Sequence, residues 1–294
     1  MEAADPVTMP TSDSTIATAN NGSALETGGE SFAIETFGLT RTFGDLVAAN
    51  HVTLHVPSGA IFGLLGPNGA GKTTTIKMLT TMLEPSEGTA SVAGFDIVKA
   101  PAQVRRRIGY VPQMLSADGG LTGWENLELS GKLYGIPRAE RKRRIEDALR
   151  FMGLTDFGRK LVKTYSGGMI RRLEIAQAML HRPAVLFLDE PTIGLDPVAR
   201  RSVWERLLEL RGTYQMTVLI TTHGMDEADA LCDLLAIMHL GKVAAIGKPA
   251  ELKESVGPGA SLDDVFVHYS GGTIQEEGSY RDIRATRRTA SRLG

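Results

Sequence analysis

A chain of 294 residues can bury a sizeable core as one large or two modest domains, and a formal charge of −2 gives no overall pull toward nucleic acid or an anionic membrane. The single cysteine, Cys232, excludes an internal disulfide and fits a reducing compartment, where it reads as a small apolar helix residue. No run approaches the roughly 18–20 consecutive apolar residues that span a bilayer, and the N-terminus lacks a secretory signal pattern. The chain is therefore expected in the cytoplasm, with any spanning helices supplied by another polypeptide.

Residues 1–31, rich in Ser, Thr, Ala, Asn and Gly, read as a tail that cannot offset its ordering entropy. FAIETFGL and ANHVTLHV then alternate as strands do, and Pro57-Ser58-Gly59 turns into AIFGLL, a buried strand. A glycine loop and a helix follow directly, the helix running through Thr73–Leu83 and stopping before Pro85. GTASVAGFDI reads as a strand and turn. Arg105–Arg107 precede a short strand, IGYV, which ends at Pro112-Gln113.

Helical periodicity takes over at Trp124–Tyr134 and Ala139–Met152, with Ile145, Ala148, Leu149 and Met152 on one face and basic residues on a solvated one. Residues 115–165 read as a helical subdomain inserted into an α/β core. That core resumes with a helix over Gly168–His181, strand AVLFL, helix Pro197–Arg211, strand TVLIT and helix Asp226–Cys232. Strands LLAIM and KVAAI meet at a tight Leu240-Gly241 turn. Alternating β and α elements imply a mostly parallel sheet covered on both faces, an α/β class with antiparallel strands at its N-terminal end. Residues 248–270 form a short extension, and from 271 a polar stretch ends in arginines, expected to be a basic tail.

The glycine loop, Gly66-Pro67-Asn68-Gly69-Ala70-Gly71-Lys72-Thr73-Thr74, fits G-x-x-x-x-G-K-[ST] in full. Glycines let successive backbone N–H groups curl around phosphates, and the helix beginning at Gly71 points its positive end at the same anion. Lys72 adds a full charge near the β- and γ-phosphates. Thr73 offers a hydroxyl to Mg²⁺, and Thr74 can add a further hydrogen bond. In VLFLDEP two carboxylates end an apolar strand, where an open α/β sheet has its ligand crevice. Asp189 suits the metal and Glu190 the attacking water. Gln113, just beyond a strand, can reach metal and water. His223, after TVLIT, can donate a hydrogen bond to the γ-phosphate. In YSGGM, Ser166, Gly167 and Gly168 open a helix and make a second anion-binding end. One chain with one phosphate loop has no use for it, so it is expected to serve another subunit's nucleotide.

These five pieces, running along the chain as phosphate loop, Gln113, YSGGM, VLFLDEP and His223 over about residues 32–247, resemble the nucleotide-binding domain of an ATP-binding-cassette transporter. The resemblance implies the P-loop NTPase fold of that family, with ATP and Mg²⁺ as cofactors. It also implies a head-to-tail dimer enclosing two ATP molecules, each between one subunit's P-loop and the other's Ser166–Gly168. By position, Asp196 in GLDP resembles the loop linking the two sites. Phe43 in RTFG resembles the aromatic that stacks on adenine, without the hydroxyl of the more usual tyrosine. Tyr165 and Met169 depart from the family's commonest signature, LSGGQ, so the contact of its final glutamine is lost. Gly224 stands where a bulkier residue often follows the histidine.

YSGGMIRRLEIAQAML and SLDDVFVHYSGG are similar to the drug-exporter branch that includes daunorubicin-type resistance ATPases. That resemblance implies a separate transmembrane permease, touched by the inserted helical region, and a place on the cytoplasmic face of the membrane. A lipid or polysaccharide exporter, an importer cassette, and a soluble relative acting on ribosomes or DNA are the alternatives. The last usually carries paired cassettes, coiled coils or zinc motifs, none of which this chain has, so no nucleic-acid partner is expected. A GTPase would need an N-K-x-D motif, and none follows.

Overall fold

IFGLL, VLFLD and TVLITT bury every residue, as strands covered on both faces do. They lie at the centre of the computed structural model, which describes residues 31–271. The two expected tails, apart from Ser31 and Gly271, lie outside the described residues. The chain opens with β1 (Phe32–Phe43), β2 (Leu46–Pro57), β3 (Ile61–Leu65), α1 (Lys72–Leu79), β4 (Glu87–Val92), β5 (Phe95–Asp96), α2 (Pro101–Arg107) and β6 (Ile108–Val111). The helices α3 (Gly123–Leu133), α4 (Arg138–Phe151) and α5 (Gly167–Met179) follow. Next come β7 (Val185–Asp189), α6 (Pro197–Tyr214), β8 (Thr217–Thr222), α7 (Met225–Leu231), β9 (Leu234–His239), β10 (Lys242–Gly247), α8 (Pro249–Val256) and α9 (Leu262–Ser270).

Two sheets result: an antiparallel one ordered β2-β1-β4-β5, and a six-stranded one ordered β10-β9-β3-β8-β7-β6. In the second, β9, β3, β8, β7 and β6 are parallel, and only β10 runs against its neighbour. Strand side chains alternate between faces. Phe62, Leu64, Phe187, Leu219, Ala236 and Met238 therefore pack with the antiparallel sheet and with Ile76 and Leu79 of α1. Ile61, Leu186, Leu188, Val218, Ile220 and Ile237 face the other core, with Leu173 of α5, Leu207 of α6 and Phe266 of α9.

Register fixes the site. Leu65 pairs with Thr222, Asp189 with Thr221 and Val111 with Leu188, so the C-terminal ends of β3, β8, β7 and β6 line up along one edge. The phosphate loop, Gln113, Glu190 and His223 all leave from that edge.

Three local outcomes differ from the sequence expectations. Helix α1 ends at Leu79, short of Leu83. Thr81 takes a left-handed φ of 62°, Met82 N–H bonds to Lys77 O (2.9 Å) and Thr81 N–H to Met78 O (3.0 Å), a Schellman closure with threonine in the usual glycine place. Helix α2, which Pro101 starts, and α8, which Pro249 starts, were not anticipated. Each buries one residue, Val104 or Leu252, too little for a readable periodicity. The Leu240-Gly241 turn is as expected, with φ of 47° and 78°, the two positive values of a type I′ hairpin. On α4, Ile145, Ala148 and Leu149 are buried and Lys142, Arg143 and Arg150 exposed, as the face reading required.

Truncating Leu186, fully buried in β7, to alanine should cost about 2–5 kcal/mol in a denaturant titration. His181 stacks on Tyr134 at 3.6 Å and hydrogen-bonds Ile108 O through Nε2 at 2.9 Å. Burial pushes its pKa from 6.5 down to about 4. An unfolded chain takes up this proton below about 6.5 and the folded chain resists it, so His181 makes stability fall as pH drops from about 6.5 to about 4. Chemical denaturation across that window should show a shallower pH slope for His181→Gln.

Candidate functional site

The loop after β3 is built for close approach. A Cβ on Gly66 would run into Met238 O, and one on Gly71, whose φ is 97°, into Ala48 O. The N-terminus of α1 therefore has neither a side-chain cap nor an acidic residue in its first turn, which leaves its backbone N–H groups free for an anion. A cavity of about 490 Å³ opens over it, lined by Phe43, Pro67, Asn68, Gly69, Ala70, Gly71, Lys72, Thr73, Thr74, Gln113 and Glu190.

Lys72 is 5% exposed and spends its three donors inward. Nζ lies 2.7 Å from Gly66 O, 3.1 Å from Pro67 O and 3.1 Å from Glu190 Oε1. The other oxygen of Glu190, Oε2, is 2.5 Å from His223 Nδ1. Glu190 leaves β7 with a φ of 50°, which turns its side chain out of the strand's alternation and toward these two partners. The carboxylate is 5% exposed while His223 is half-exposed, so solvent and ligand reach the pair from the histidine side.

Asp189 sits one residue earlier and is almost fully buried. Its Oδ1 accepts from Thr73 Oγ1 (3.0 Å) and Thr221 Oγ1 (2.6 Å). The same Thr221 hydroxyl accepts from Glu190 N (3.0 Å), so one side chain orients both acids. Burial, helped by the charge of the neighbouring Asp189, pushes the Tyr110 phenol up to about 12, keeping it neutral. Thr73 and Asp189 offer a hydroxyl and a carboxylate oxygen, the hard donors that suit Mg²⁺ shared with phosphates. Among the described residues no cluster of three or more His, Cys, Asp or Glu makes an all-protein metal cage.

Gly66, Asp189 and His223 are not part of the cavity lining, but each hydrogen-bonds a residue that is, whereas Ser166, Gly167, Gly168 and Asp196 lie apart from it. Ser166 caps its own helix, accepting from Met169 N at 3.3 Å, with Gly167 exposed beside it. Gly168 is buried against Ala199, which a Cβ on it would strike. Asp196 caps α6 through Val198 N (3.0 Å) and Ala199 N (2.9 Å). Gly167 and Gly168 approach Leu195 and Ala199, which brings together the starts of the two helices that Ser166 and Asp196 cap, and none of Ser166–Gly168 or Asp196 lines the P-loop cavity.

Comparison with known proteins agrees with this geometry. The family described as "ABC transporter" matches residues 49–193. The daunorubicin/doxorubicin resistance ATP-binding protein DrrA of Streptomyces peucetius is 49% identical over 227 residues, 76% of this chain and 68% of the relative. The chain belongs to the ABC transporter family of ATP-binding subunits. A Nod factor export ATP-binding protein I of Cupriavidus metallidurans is 42% identical over 215 residues, 73% of this chain and 71% of that protein. A solved ATP-binding subunit of an ABC transporter superposes with a TM-score of 0.72 at 33% identity, over 81% of this chain and 99% of the other. The protein is thus an ABC-type ATPase that binds ATP as one subunit of a transporter.

Sequence reading missed part of this ABC ATPase's cavity. Leu46, Val47, Ala48, Leu240 and Gly241 complete its wall. Gly241 N–H bonds to Ala70 O (3.1 Å), and Asn50 N–H to Gly241 O (2.8 Å), which ties the β9–β10 hairpin to the loop. The hairpin was legible as a turn, but nothing in its residues says that it folds against Ala70. Tyr165, noted as a departure from the common signature, is a core residue whose hydroxyl donates to Phe157 O at 2.7 Å. Replacing Lys72 by methionine removes a charged donor, generally a loss of about 1.5–3 kcal/mol. ATP affinity should then fall by about 10- to 150-fold in a fluorescent-nucleotide titration.

Proposed function

We propose that this ATPase powers export of an antibiotic or similar hydrophobic compound through a separate membrane permease, as one of two copies that close head-to-tail on two molecules of MgATP. The observation that carries the reading is the separation of the two anion-binding ends. The P-loop and Ser166–Gly168 belong to one chain but not to one cavity. A second copy brings the missing half to each, with Asp196 at the seam between them. The export branch is supported by the relative named for daunorubicin and doxorubicin resistance. The relative named for Nod factor export favours a second reading, export of a different compound by the same chemistry.

In the proposed cycle the triphosphate meets the free N–H groups of the loop and of α1, with Thr74 adding a hydrogen bond. Phe43 stacks on the adenine face; base–aromatic stacking is worth about 1–3 kcal/mol in nucleic-acid binders. The γ-phosphate draws Lys72 away from Glu190, because a phosphate oxygen is the better partner for an ammonium than a carboxylate already shared with His223. Thr73, Asp189 and Gln113 would hold Mg²⁺, which when bound neutralises charge on the β- and γ-phosphate oxygens. Freed Glu190 accepts a proton from the attacking water as its oxygen bonds to phosphorus, and the bridging oxygen leaves with ADP. His223 steers Glu190 and donates to the γ-phosphate. Hydrolysis then lets the pair reopen and the permease reset.

Among the described residues no helix is long and apolar enough to cross a membrane. Attachment through a permease at the cytoplasmic face is accordingly part of the proposal. The segment 115–165, inserted between β6 and α5, is its proposed contact.

Glu190→Gln keeps shape and loses the base, so turnover should fall by about 10²–10⁴-fold while ATP binding persists and the pair accumulates in size-exclusion chromatography. Full turnover by that variant contradicts the role given to Glu190. Cells carrying the chain with its permease should accumulate less anthracycline than cells carrying Glu190→Gln, and equal accumulation contradicts the drug reading.

A further inference from the structure

Helix α5 grips the strand and loop that carry Gln113 at three points. At its C-terminal end Gly109 lies so close that a Cβ would strike Ala178 O, and just beyond the helix His181 bonds to Ile108 O. One and a half turns from its N-terminus, Arg171 donates to Pro112 O through Nη1 (2.7 Å) and to Gln113 O through Nη2 (2.8 Å). Three residues on, Glu174 Oε1 accepts from Ser116 N, from Ser116 Oγ (3.1 Å) and from Ala117 N (3.2 Å). Arg171 and Glu174 pair with each other at 3.0 Å, each side chain 2% exposed. Residues 112–117 are thus held to one face of one helix, and Gln113 lines the P-loop cavity from that mount.

A buried ion pair is a poor device for stability alone. Apolar residues of similar volume often serve as well or better, because they avoid desolvating two charges. This pair also leaves Arg171 Nε without a hydrogen-bond acceptor among the described residues. What it does that apolar residues cannot is fix the backbone on both sides of one glutamine. Ser166 lies five residues before Arg171 on the same helix, about 7.5 Å of rise.

We propose that Arg171 and Glu174 are positioning residues that lock Gln113 to α5, so that occupation of the Ser166–Gly168 end moves Gln113 within the same chain's ATP cavity. The inference rests on the roles given above to Gln113 and to the α5 end. Each site would thereby report to its own chain that the partner's nucleotide is in place.

The test is a mutant cycle on MgATP turnover by the full chain assembled with its membrane subunit. Arg171→Met with Glu174→Leu removes every side-chain bond to residues 112–117 and leaves no unpaired charge. The expected result is a fall in kcat of about 10-fold or more, KM within about 3-fold and an undiminished thermal midpoint. Gln113→Ala should lower kcat similarly by itself, and by less than about 2-fold when added to the double variant, because both changes remove one function. Wild-type kcat in the double variant, or losses that multiply, overturns the coupling while the role of Gln113 stands. Wild-type kcat in Gln113→Ala alone defeats the role of Gln113 and this inference with it. If the double variant does not fold, Arg171→Lys enters the same cycle: it keeps a charge opposite Glu174 but cannot span both carbonyls.

Discussion

Glu190, buried between Lys72 and His223, is the contact on which the site depends. A carboxylate withdrawn from water needs partners on both oxygens, and it has one cation on Oε1 and one imidazole on Oε2. Those partners come from different strands: Lys72 follows β3, Glu190 follows β7 and His223 follows β8. Only a parallel register that brings three C-terminal ends to one edge can supply them together. The fold is needed for this contact as much as the residues are. Lys72 has all three donors engaged inward, so in the proposed cycle a phosphate has to exchange them, and the exchange acts on the group proposed as the base.

The same reasoning extends outward. Thr221 hydrogen-bonds both Asp189 Oδ1 and Glu190 N, so the two acids are held as one unit at the end of β7. On the neighbouring strand, α5 holds β6 and Gln113 as another unit. The phosphate loop follows β3, on the far side of β8 from both. A single chain therefore contains two braced arms at the cavity, and the N-terminal end of α5, proposed to bind an anion, lies outside its lining. Such an arrangement makes sense when a second molecule faces that end.

Much of the architecture was readable in the residues because its signals are local. IFGLL and VLFLD are short apolar runs that end at glycine or acids, TVLITT is a run rich in β-branched residues, and Gly66–Thr74 carries its own backbone requirement. Leu240-Gly241 announced its hairpin by turn chemistry. What escaped depends on tertiary neighbours. The left-handed Thr81 ends α1 early through bonds back to Lys77 and Met78, a geometry that threonine does not advertise. Leu46, Val47 and Leu240 are ordinary apolar residues until folding sets them around a cavity. Arg171 and Glu174, three apart on a helix, read like any surface ion pair, and only the loop packed over them makes them buried. The contact of Glu190 with Lys72 lay hidden too, because the sequence reading puts Lys72 beside phosphate and Glu190 beside water, and neither beside the other.

The proposed sharing of ATP between two copies is tested most directly by inter-subunit cross-linking. One preparation carries Asn68→Cys on the P-loop and another Ser166→Cys on α5, both in a Glu190→Gln background; the native Cys232 is buried and protected by it. Mixed and treated with a short bismaleimide, they should give a covalent heterodimer whose yield rises with MgATP and falls when nucleotide is removed. A yield indifferent to ATP, or no link between Asn68→Cys and Ser166→Cys chains while ATP is bound, would contradict the account.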